Sequence, residues 1–178
     1  MKKEILSNVK DGEVFSVAGI EFIKFFDEDG KTVAVAKNSL GDYRFGNNNN
    51  FAESEIKEML EKELLPKIEA EIGVENIVEH EVDLLSLDGS EKWGKVNCKI
   101  SLPTFDFYRK HVKIFDKHKL NDWWWLSTPE STSDHSNDSW VSCVSPSGRM
   151  GISISIYDYY GVRPFLIFVS SISVSCEE

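Results

Sequence analysis

The chain has 178 residues, of which 41% are hydrophobic and 28% are charged, and its formal net charge is −10 at pH 7. This length supports one domain with a substantial core, and the composition is that of an ordinary globular protein. The first residues, MKKEILSNVKDGE, lack a secretion signal, and no apolar run reaches the roughly 20 residues that cross a bilayer. The wide spacing of Cys98, Cys143 and Cys176 argues against a disulfide scaffold, so we expect a cytoplasmic protein without a membrane partner.

The charge is divided into zones along the chain. Residues 1–51 carry 7 basic and 8 acidic groups, whereas residues 52–91 carry 3 and 13. Residues 92–119 reverse this balance, with 8 basic and 2 acidic groups. Residues 120–178 carry 2 basic and 7 acidic groups and contain no lysine. Because a zone of one sign attracts a partner of the other sign, we expect the acidic zones to favour a basic partner over nucleic acid.

The first 51 residues are predicted to form hairpins. Apolar runs at 14–17, 20–26 and 32–36 have the length and composition of strands. They are separated by Ala18-Gly19 and by residues 27–30, which end in Asp-Gly, a pair that favours tight turns.

A helix is predicted after residue 50, with Asn50 and Ser54 as alternative N-caps and Gly73 as its end. Pro66 is expected to kink or split this helix. Glu55, Glu58 and Glu61 lie outside its apolar face, where they form either a solvated surface or a surface that docks on a basic groove. The apolar face consists of Ile56, Met59, Leu60, Leu64, Ile68 and Ile72.

A second, basic helix is predicted from Thr104, and strands are predicted at several places in the second half of the chain. We expect the helix to bury Phe105, Tyr108, Val112 and Phe115, and its lysines to balance the acidic zone or, as a less favoured alternative, to contact nucleic acid directly. The predicted strands are 78–87, 123–126, 140–144, 152–157, 162–169 and 172–174. The sequence therefore predicts a single α+β domain, 1–178, with antiparallel sheets and two main helices: N-terminal hairpins (1–51), a helical middle (52–119) and a strand-rich C-terminal part (120–178).

Several sequence stretches are similar to motifs of one family. They are Gly12–Phe15, Phe45–Asn48, His80–Gly89, Leu102–Arg109, Trp124–Pro129 and Gly161–Pro164. With these motifs the chain resembles the DUF6273-type proteins of phages and mobile elements, and the resemblance implies a C-type-lectin-like fold related to the formylglycine-generating enzymes. A likeness of fold implies architecture and not activity. Where the family has arginine after W-W-L, this chain has Ser127, so no role of that arginine is transferred.

The tryptophan triplet is predicted to have two environments. Neighbouring side chains of a strand point to opposite faces, so Trp123 and Trp125 share one face and Trp124 takes the other. We predict Trp124 and Trp125 as structural, and Arg163, which lies in an apolar run, as a structural charge paired with a buried carboxylate.

The sequence contains no pattern of catalytic or metal-binding residues. The four histidines show no H-E-x-x-H or Cys/His cluster, and no phosphate-binding glycine loop occurs. Residues 134–138 bring side-chain oxygens close together, as either a solvated loop or an ion site, and the order of ligands differs from that of an EF-hand. We therefore predict a non-enzymatic protein without a metal or cofactor.

Aromatic and acidic side chains of the C-terminal part are predicted to form a docking patch together with the acidic helix. The chain also resembles small acidic type II anti-CRISPR proteins of Firmicutes, which implies an inhibitor of a basic host protein such as a CRISPR effector nuclease. The alternative is a virion surface module that binds a host glycan or protein through lectin-like loops. The predicted partner-binding residues are Glu55, Glu58, Glu61, Trp123, Asp134, Asp138, Trp140, Tyr157, Asp158, Tyr159 and Tyr160.

Overall fold

Fourteen strands and two helical segments alternate along residues 2–177, the part of the chain that the computed structural model describes. They form one α+β domain, as the sequence predicts. The strands are β1 (Lys2–Ile5), β2 (Val14–Val17), β3 (Ile20–Glu28), β4 (Lys31–Ala36), β5 (Asp42–Arg44), β6 (His80–Asp83), β7 (Lys95–Cys98), β8 (Ile100–Ser101), β9 (Trp124–Pro129), β10 (Trp140–Val144), β11 (Met150–Ile154), β12 (Tyr159–Gly161), β13 (Phe165–Val169) and β14 (Ser173–Cys176).

The strands form two larger sheets and one separate ribbon. The seven-stranded sheet has the order β1-β14-β2-β3-β4-β13-β8, and the five-stranded sheet has the order β11-β10-β9-β12-β5. Strands β6 and β7 pair only with each other. All strand pairs are antiparallel except β12 and β9, which are parallel where Gly161 lies opposite Trp124. Both ends of the chain therefore contribute to the same large sheet.

The N-terminal hairpins follow the prediction. Ala18 and Gly19, and again Asp29 and Gly30, have positive φ angles of 51°, 75°, 49° and 72°. Two consecutive residues with positive φ form the type of turn whose twist matches two antiparallel strands. Strands β2, β3 and β4 follow one another across these two turns.

The acidic helical segment uses both predicted caps. Asn50 caps a short 3-10 turn, Phe51–Glu53, and the Ser54 hydroxyl accepts the Lys57 N–H at 3.0 Å to begin α1 (Glu55–Met59). A π turn (Leu60–Leu64) then leads into α2 (Leu65–Ile72). Because Pro66 has no N–H to donate, the wider turn just before it preserves the helix where an α-helical ladder would be interrupted. Gly73, with φ 91°, ends the segment as predicted.

The basic helical segment is shorter and more irregular than predicted. Thr104 caps α3 (Phe105–Lys110), and α4 (Val112–Phe115) follows after a break at His111, whose φ and ψ are −117° and 20°. The break rotates the second half of the segment, so Val112 is exposed, and its predicted place in the core is wrong. The His111 ring instead packs against Phe107, with ring centroids 4.5 Å apart.

The strand predictions need three corrections. The predicted strand 152–157 is displaced, because β11 ends at Ile154 where the Asp158 side chain accepts the Ile154 N–H. The predicted strand 162–169 begins only at Phe165, since Pro164 cannot donate to a ladder. The predicted strand 78–87 is reduced to β6. The middle third also contains β7 and β8 in addition to its helices.

Two clusters of buried side chains form the core. The larger one joins Phe15, Phe22 and Phe168 to the apolar face of the acidic helical segment and to Trp125. The smaller one lies on the other side of β9 and joins Trp124 to the basic helical segment. The five-stranded sheet thus has buried side chains on both faces near β9 and is exposed towards its edges.

Candidate functional site

The tryptophan triplet has the alternation that a strand requires. Trp124 and Trp125 are buried in different core clusters, whereas 37% of the Trp123 surface is exposed. The Tyr160 ring lies between Trp123 and Trp125, with centroid distances of 5.7 Å and 4.7 Å. The Trp125 indole donates a hydrogen bond to the Tyr43 carbonyl at 2.8 Å. Trp123 is therefore a preorganised surface ring that rests on a fixed stack.

Arg163 is buried, but the predicted partner carboxylate is wrong for residues 2–177. Its guanidinium lies over the Trp124 ring at 4.8 Å and over the Phe115 ring at 5.4 Å. Its Nε donates to the Ala36 carbonyl at 2.9 Å, and none of the ion pairs in the described chain includes Arg163. Burial lowers the pKa of Arg163 to about 10. The negative faces of the two rings replace the missing carboxylate.

Exposed apolar side chains are concentrated around strands β11 and β12. Tyr157 and Tyr159 are 72% and 64% exposed. Together with Trp123, Met150 and Ile152 they supply half of the ten large hydrophobic side chains that are exposed in residues 2–177, and we call these five residues the aromatic rim.

Strand β11, at the edge of the five-stranded sheet, has apolar groups on both of its faces. A side chain at Gly151 would contact the Trp123 ring at 3.5 Å, so Trp123 covers that face. Met150 and Ile152, the neighbours of Gly151 in the strand, point to the opposite face.

The aromatic rim adjoins the start of the acidic helical segment. Tyr159 of β12 lies opposite Arg44 of β5 in the sheet. The Arg44 guanidinium binds both carboxylate oxygens of Glu55, with Nε to Oε2 at 3.1 Å, and it holds the pKa of Glu55 below its usual value. One arginine thus connects the most acidic part of the chain to the exposed Tyr159.

Asn49 holds the 130–140 loop next to the same region. Its backbone N–H donates to Asp138 O at 2.7 Å, and its Nδ2 donates to Ser131 O at 2.8 Å and to Trp140 O at 3.0 Å. The Trp93 indole donates to Asn49 Oδ1 at 2.9 Å. The Ser155 N–H donates to Ser139 O at 2.8 Å, and the Phe45 N–H donates to Ser155 O at 3.1 Å, so the loop and Ser155 lie beside the chain that leads into the acidic helical segment. Sequence reasoning missed Asn49 among four consecutive asparagines.

Two of the helix glutamates that are predicted to contact the partner form ion pairs with lysines of the same helical segment. Glu58 bonds Lys62 at 2.5 Å and Glu61 bonds Lys57 at 2.7 Å, both one helical turn apart. Such exposed pairs contribute only about 0.3–0.5 kcal/mol each, so a partner can displace them at small cost. These two glutamates remain available for docking.

The three aspartates of the C-terminal part that are predicted to contact the partner differ in their hydrogen bonding. Asp158 accepts the Ser153 hydroxyl at 2.5 Å and the Ile154 N–H at 3.0 Å, so its carboxylate also fixes the end of β11, and its predicted partner contact stays a prediction. Asp134 accepts the Ser90 hydroxyl at 3.1 Å, and the Thr132 hydroxyl holds its pKa below the usual value. The Asp138 carboxylate makes no hydrogen bond or ion pair within residues 2–177, and the half-buried Trp140 lies beside it in the 130–140 loop.

The 130–140 loop closes through hydrogen bonds to residues 86–90. His135 Nδ1 lies 2.6 Å from Asp88 Oδ2, and Asp134 contacts Ser90 as described above. Within the described part of the chain, no three His, Cys, Asp or Glu side chains come together as ligands for a metal ion. These contacts attach the 130–140 loop to residues 86–90.

Two of the three cysteines are buried, and their thiols are not activated. Burial raises the pKa of Cys98 to about 11 and that of Cys143 to about 12, so both remain protonated thiols at neutral pH. His80 Nε2 lies 2.8 Å from Ser101 Oγ, a pair that sequence reasoning missed. Burial lowers the pKa of His80 to about 4, and no carboxylate bonds its Nδ1 in residues 2–177, so the pair lacks the third group of a catalytic triad.

The fold and this site define an α+β domain with an aromatic rim that extends across the five-stranded sheet from β11 to β12. The chain belongs to the DUF6273 family, a domain of unknown function, whose model matches residues 80–170, just over half of the 178 residues. No curated protein and no solved structure matches the chain. The matched segment includes the whole aromatic rim, whereas the acidic helical segment lies before it. Within residues 2–177, no helix has the length and apolar character that a membrane crossing requires.

Proposed function

We propose that this protein is a non-enzymatic binding domain that docks on a basic protein surface through the aromatic rim and the acidic residues next to it. The proposal depends on one observation above all: Arg44 lies next to Tyr159 and binds Glu55, so an exposed aromatic side chain of the rim is close to an acidic side chain of the helical segment. An interface of this kind combines a desolvated anchor with charge complementarity.

The rim has the properties of interface anchors. Tyrosine and tryptophan are enriched at the centre of interfaces, because they bury a large apolar area and keep a polar group for hydrogen bonding. Trp123 is already fixed by its stack on Tyr160, so little side-chain entropy is lost when it binds. Preorganisation of this kind raises affinity without adding contacts.

The charge favours a basic partner. The net charge of −10 disfavours direct binding to nucleic acid, and it accelerates the encounter with a protein of opposite charge. We propose that the partner is a basic nucleic-acid-handling defence protein of a bacterial host, such as a CRISPR effector nuclease. In this proposal a phage or mobile element encodes the protein, its fold is C-type-lectin-like, and it acts in the host cytoplasm by covering a basic surface of the nuclease.

The experiment is a binding assay between the purified protein and a purified type II CRISPR effector nuclease, with DNA cleavage as a second measurement. We expect binding that weakens as NaCl rises from about 50 to about 500 mM, because salt screens the attraction. Tyr159→Ala removes an interface anchor, for which about 2 kcal/mol, or about 30-fold in affinity, is expected.

The matched control is Val74→Ala, which shortens an exposed apolar residue outside the rim and is expected to change nothing. Trp140→Ala is expected to weaken binding without unfolding the domain, and circular dichroism checks the fold of each variant. Salt-insensitive retention on a glycan array, with no binding to the nuclease, would refute the inhibitor proposal and support the virion module instead.

A further inference from the structure

A groove separates strand β6 from the segment that leads into α3. Its larger part, with a volume of about 330 Å³, lies between residues 83–87 and residues 104–109, and its smaller part, about 140 Å³, lies between residues 80–82 and residues 101–107. Thr104 lines both parts, so they adjoin at this residue. We call this feature the β6 groove; none of the rim residues lines it.

The edge of β6 that faces the groove has unpaired backbone groups. In an antiparallel ladder, alternate residues direct their N–H and C=O groups towards the partner strand. Leu84 donates its N–H to Gly94 O at 2.9 Å, which places the even-numbered residues of β6 towards β7. Glu81 and Asp83 therefore direct their N–H and C=O groups away from β7, and within residues 2–177 these groups have no backbone partner.

The chain is paired with β13 immediately before the groove and with β9 immediately after it. Val78 donates its N–H to Ile167 O at 2.8 Å, and Leu87 donates its N–H to Pro129 O at 2.9 Å. Between these two points no backbone hydrogen bond crosses to residues 101–104, although His80 and Ser101 are in side-chain contact. The outward edge of β6 is thus free between two paired points of the chain, and a free strand edge can accept an added strand.

The side chains around the groove match an extended apolar peptide with a basic residue. Leu85 and Leu87 are 45% and 43% exposed, and Phe105 and Phe107 are half-buried on the opposite wall. Every second side chain of a bound strand points to the same face, so apolar side chains at these positions can contact the leucines and phenylalanines.

The charge of the groove is acidic. Asp83 and Glu81 share a single cation, Lys95, whose Nζ lies 2.8 Å from Glu81. The Arg109 guanidinium, the cation in the groove lining, is bonded to Asp106 at 2.7 Å. The β6 edge therefore has one uncompensated negative charge, which favours a basic side chain in the peptide.

We propose that the β6 groove binds an extended, apolar segment of a partner protein, which adds to β6 as a strand and places a lysine or arginine next to Asp83. The backbone of the segment pairs with Glu81 and Asp83, and its alternate side chains contact the leucines and phenylalanines. This site is separate from the aromatic rim, so each proposal can fail without the other.

The test is a selection of random ten-residue peptides, displayed on phage, against the full chain. We expect enriched peptides in which apolar residues alternate and at least one lysine or arginine occurs. Glu81→Pro removes the outward N–H without removing a bond to β7, and proline is tolerated on a free edge. The expected result is at least about tenfold weaker binding of the enriched peptide, since hydrogen bonds of this kind each change an affinity severalfold.

Glu81→Gln is the matched control, because it removes the same carboxylate and keeps the N–H; it is expected to bind within about threefold of the unaltered chain. If Glu81→Pro unfolds, the same comparison uses the unaltered chain and a peptide with N-methyl groups on alternate residues, which block strand pairing. Selection of no peptide, equal binding of the N-methylated peptide, or loss of binding in Tyr159→Ala but not in Glu81→Pro would overturn the proposal. Amide protection of Glu81 and Asp83 that rises with protein concentration alone would identify a second copy as the occupant and would also overturn it.

Discussion

Replacing Asn49 by alanine is expected to loosen the 130–140 loop and to destabilise the whole domain. The side chain is fully buried and makes three hydrogen bonds, two donated by Nδ2 to the carbonyls of Ser131 and Trp140 and one accepted from the Trp93 indole. A hydrogen bond of this type contributes about 1 kcal/mol net, and a buried partner left without one costs about 1–3 kcal/mol.

The loss of the Asn49 side chain does not affect its three hydrogen-bond partners equally. The Trp140 carbonyl still accepts the Glu130 N–H at 2.9 Å, and Trp93 is only half-buried, so water can reach its indole. The Ser131 carbonyl is affected most, because Asn49 Nδ2 donates its hydrogen bond. We therefore expect Asn49→Ala to lower the free energy of unfolding by about 2–3 kcal/mol, which for a domain of this size lowers the melting temperature by roughly 4–12 °C.

The assay is thermal and urea unfolding followed by circular dichroism, with Asn47→Ala as the control. Asn47 is exposed and accepts a single hydrogen bond from Arg44 at 3.3 Å, so its replacement is expected to change stability by less than about 0.5 kcal/mol. Hydrogen exchange should also show faster exchange of the Asn49 and Ser155 amides, which bond the 130–140 loop, in Asn49→Ala. Equal stability of the two variants would refute this account of the loop.

Two further predictions concern buried ionisable groups. Because burial lowers the pKa of His80 from 6.5 to about 4, the stability that neutral His80 provides is complete above about pH 6.5 and is lost towards pH 4, by up to about 3 kcal/mol. His80→Gln should flatten this part of the pH profile of urea unfolding, and an unchanged slope would contradict the assignment. Arg163→Met is expected to be more stable than Arg163→Lys, since methionine packs on Trp124 and Phe115 without a buried charge, whereas lysine keeps the charge and loses the planar stacking. A hidden carboxylate partner would reverse that order in thermal unfolding.

Features encoded by short sequence patterns were predictable. The turn at Ala18-Gly19 lies between two apolar runs and predicts β2 and β3 directly. The acidic helical segment follows from the spacing of its apolar residues, since Ile56, Leu60 and Ile68 are all buried. The exposure of Trp123 relative to its neighbours follows from the alternation of a strand.

Features that depend on distant partners were not predictable from one sequence. Strand β5 has three residues and pairs with β12, which lies more than 100 positions later in the chain. Nothing in the run Asn47 to Asn50 distinguishes Asn49, because its partners Ser131 and Trp140 become its neighbours only in the folded chain. Arg163 was expected to need a carboxylate, and the two rings that surround it come from separate parts of the chain.

The order of the strands also explains why the DUF6273 segment cannot form the two sheets alone. Residues 80–170 include β13, whose two neighbours in the sheet are β8 and the N-terminal strand β4. They also include β12, which pairs with β5 along the edge next to the aromatic rim. Without residues 2–79, one edge of β13 and one edge of β12 would each lose their backbone partners, and exposed strand edges of this kind promote aggregation. The N-terminal strands therefore complete the sheets, and the aromatic rim depends on parts of the chain that the family model does not cover, since β5 supports β12.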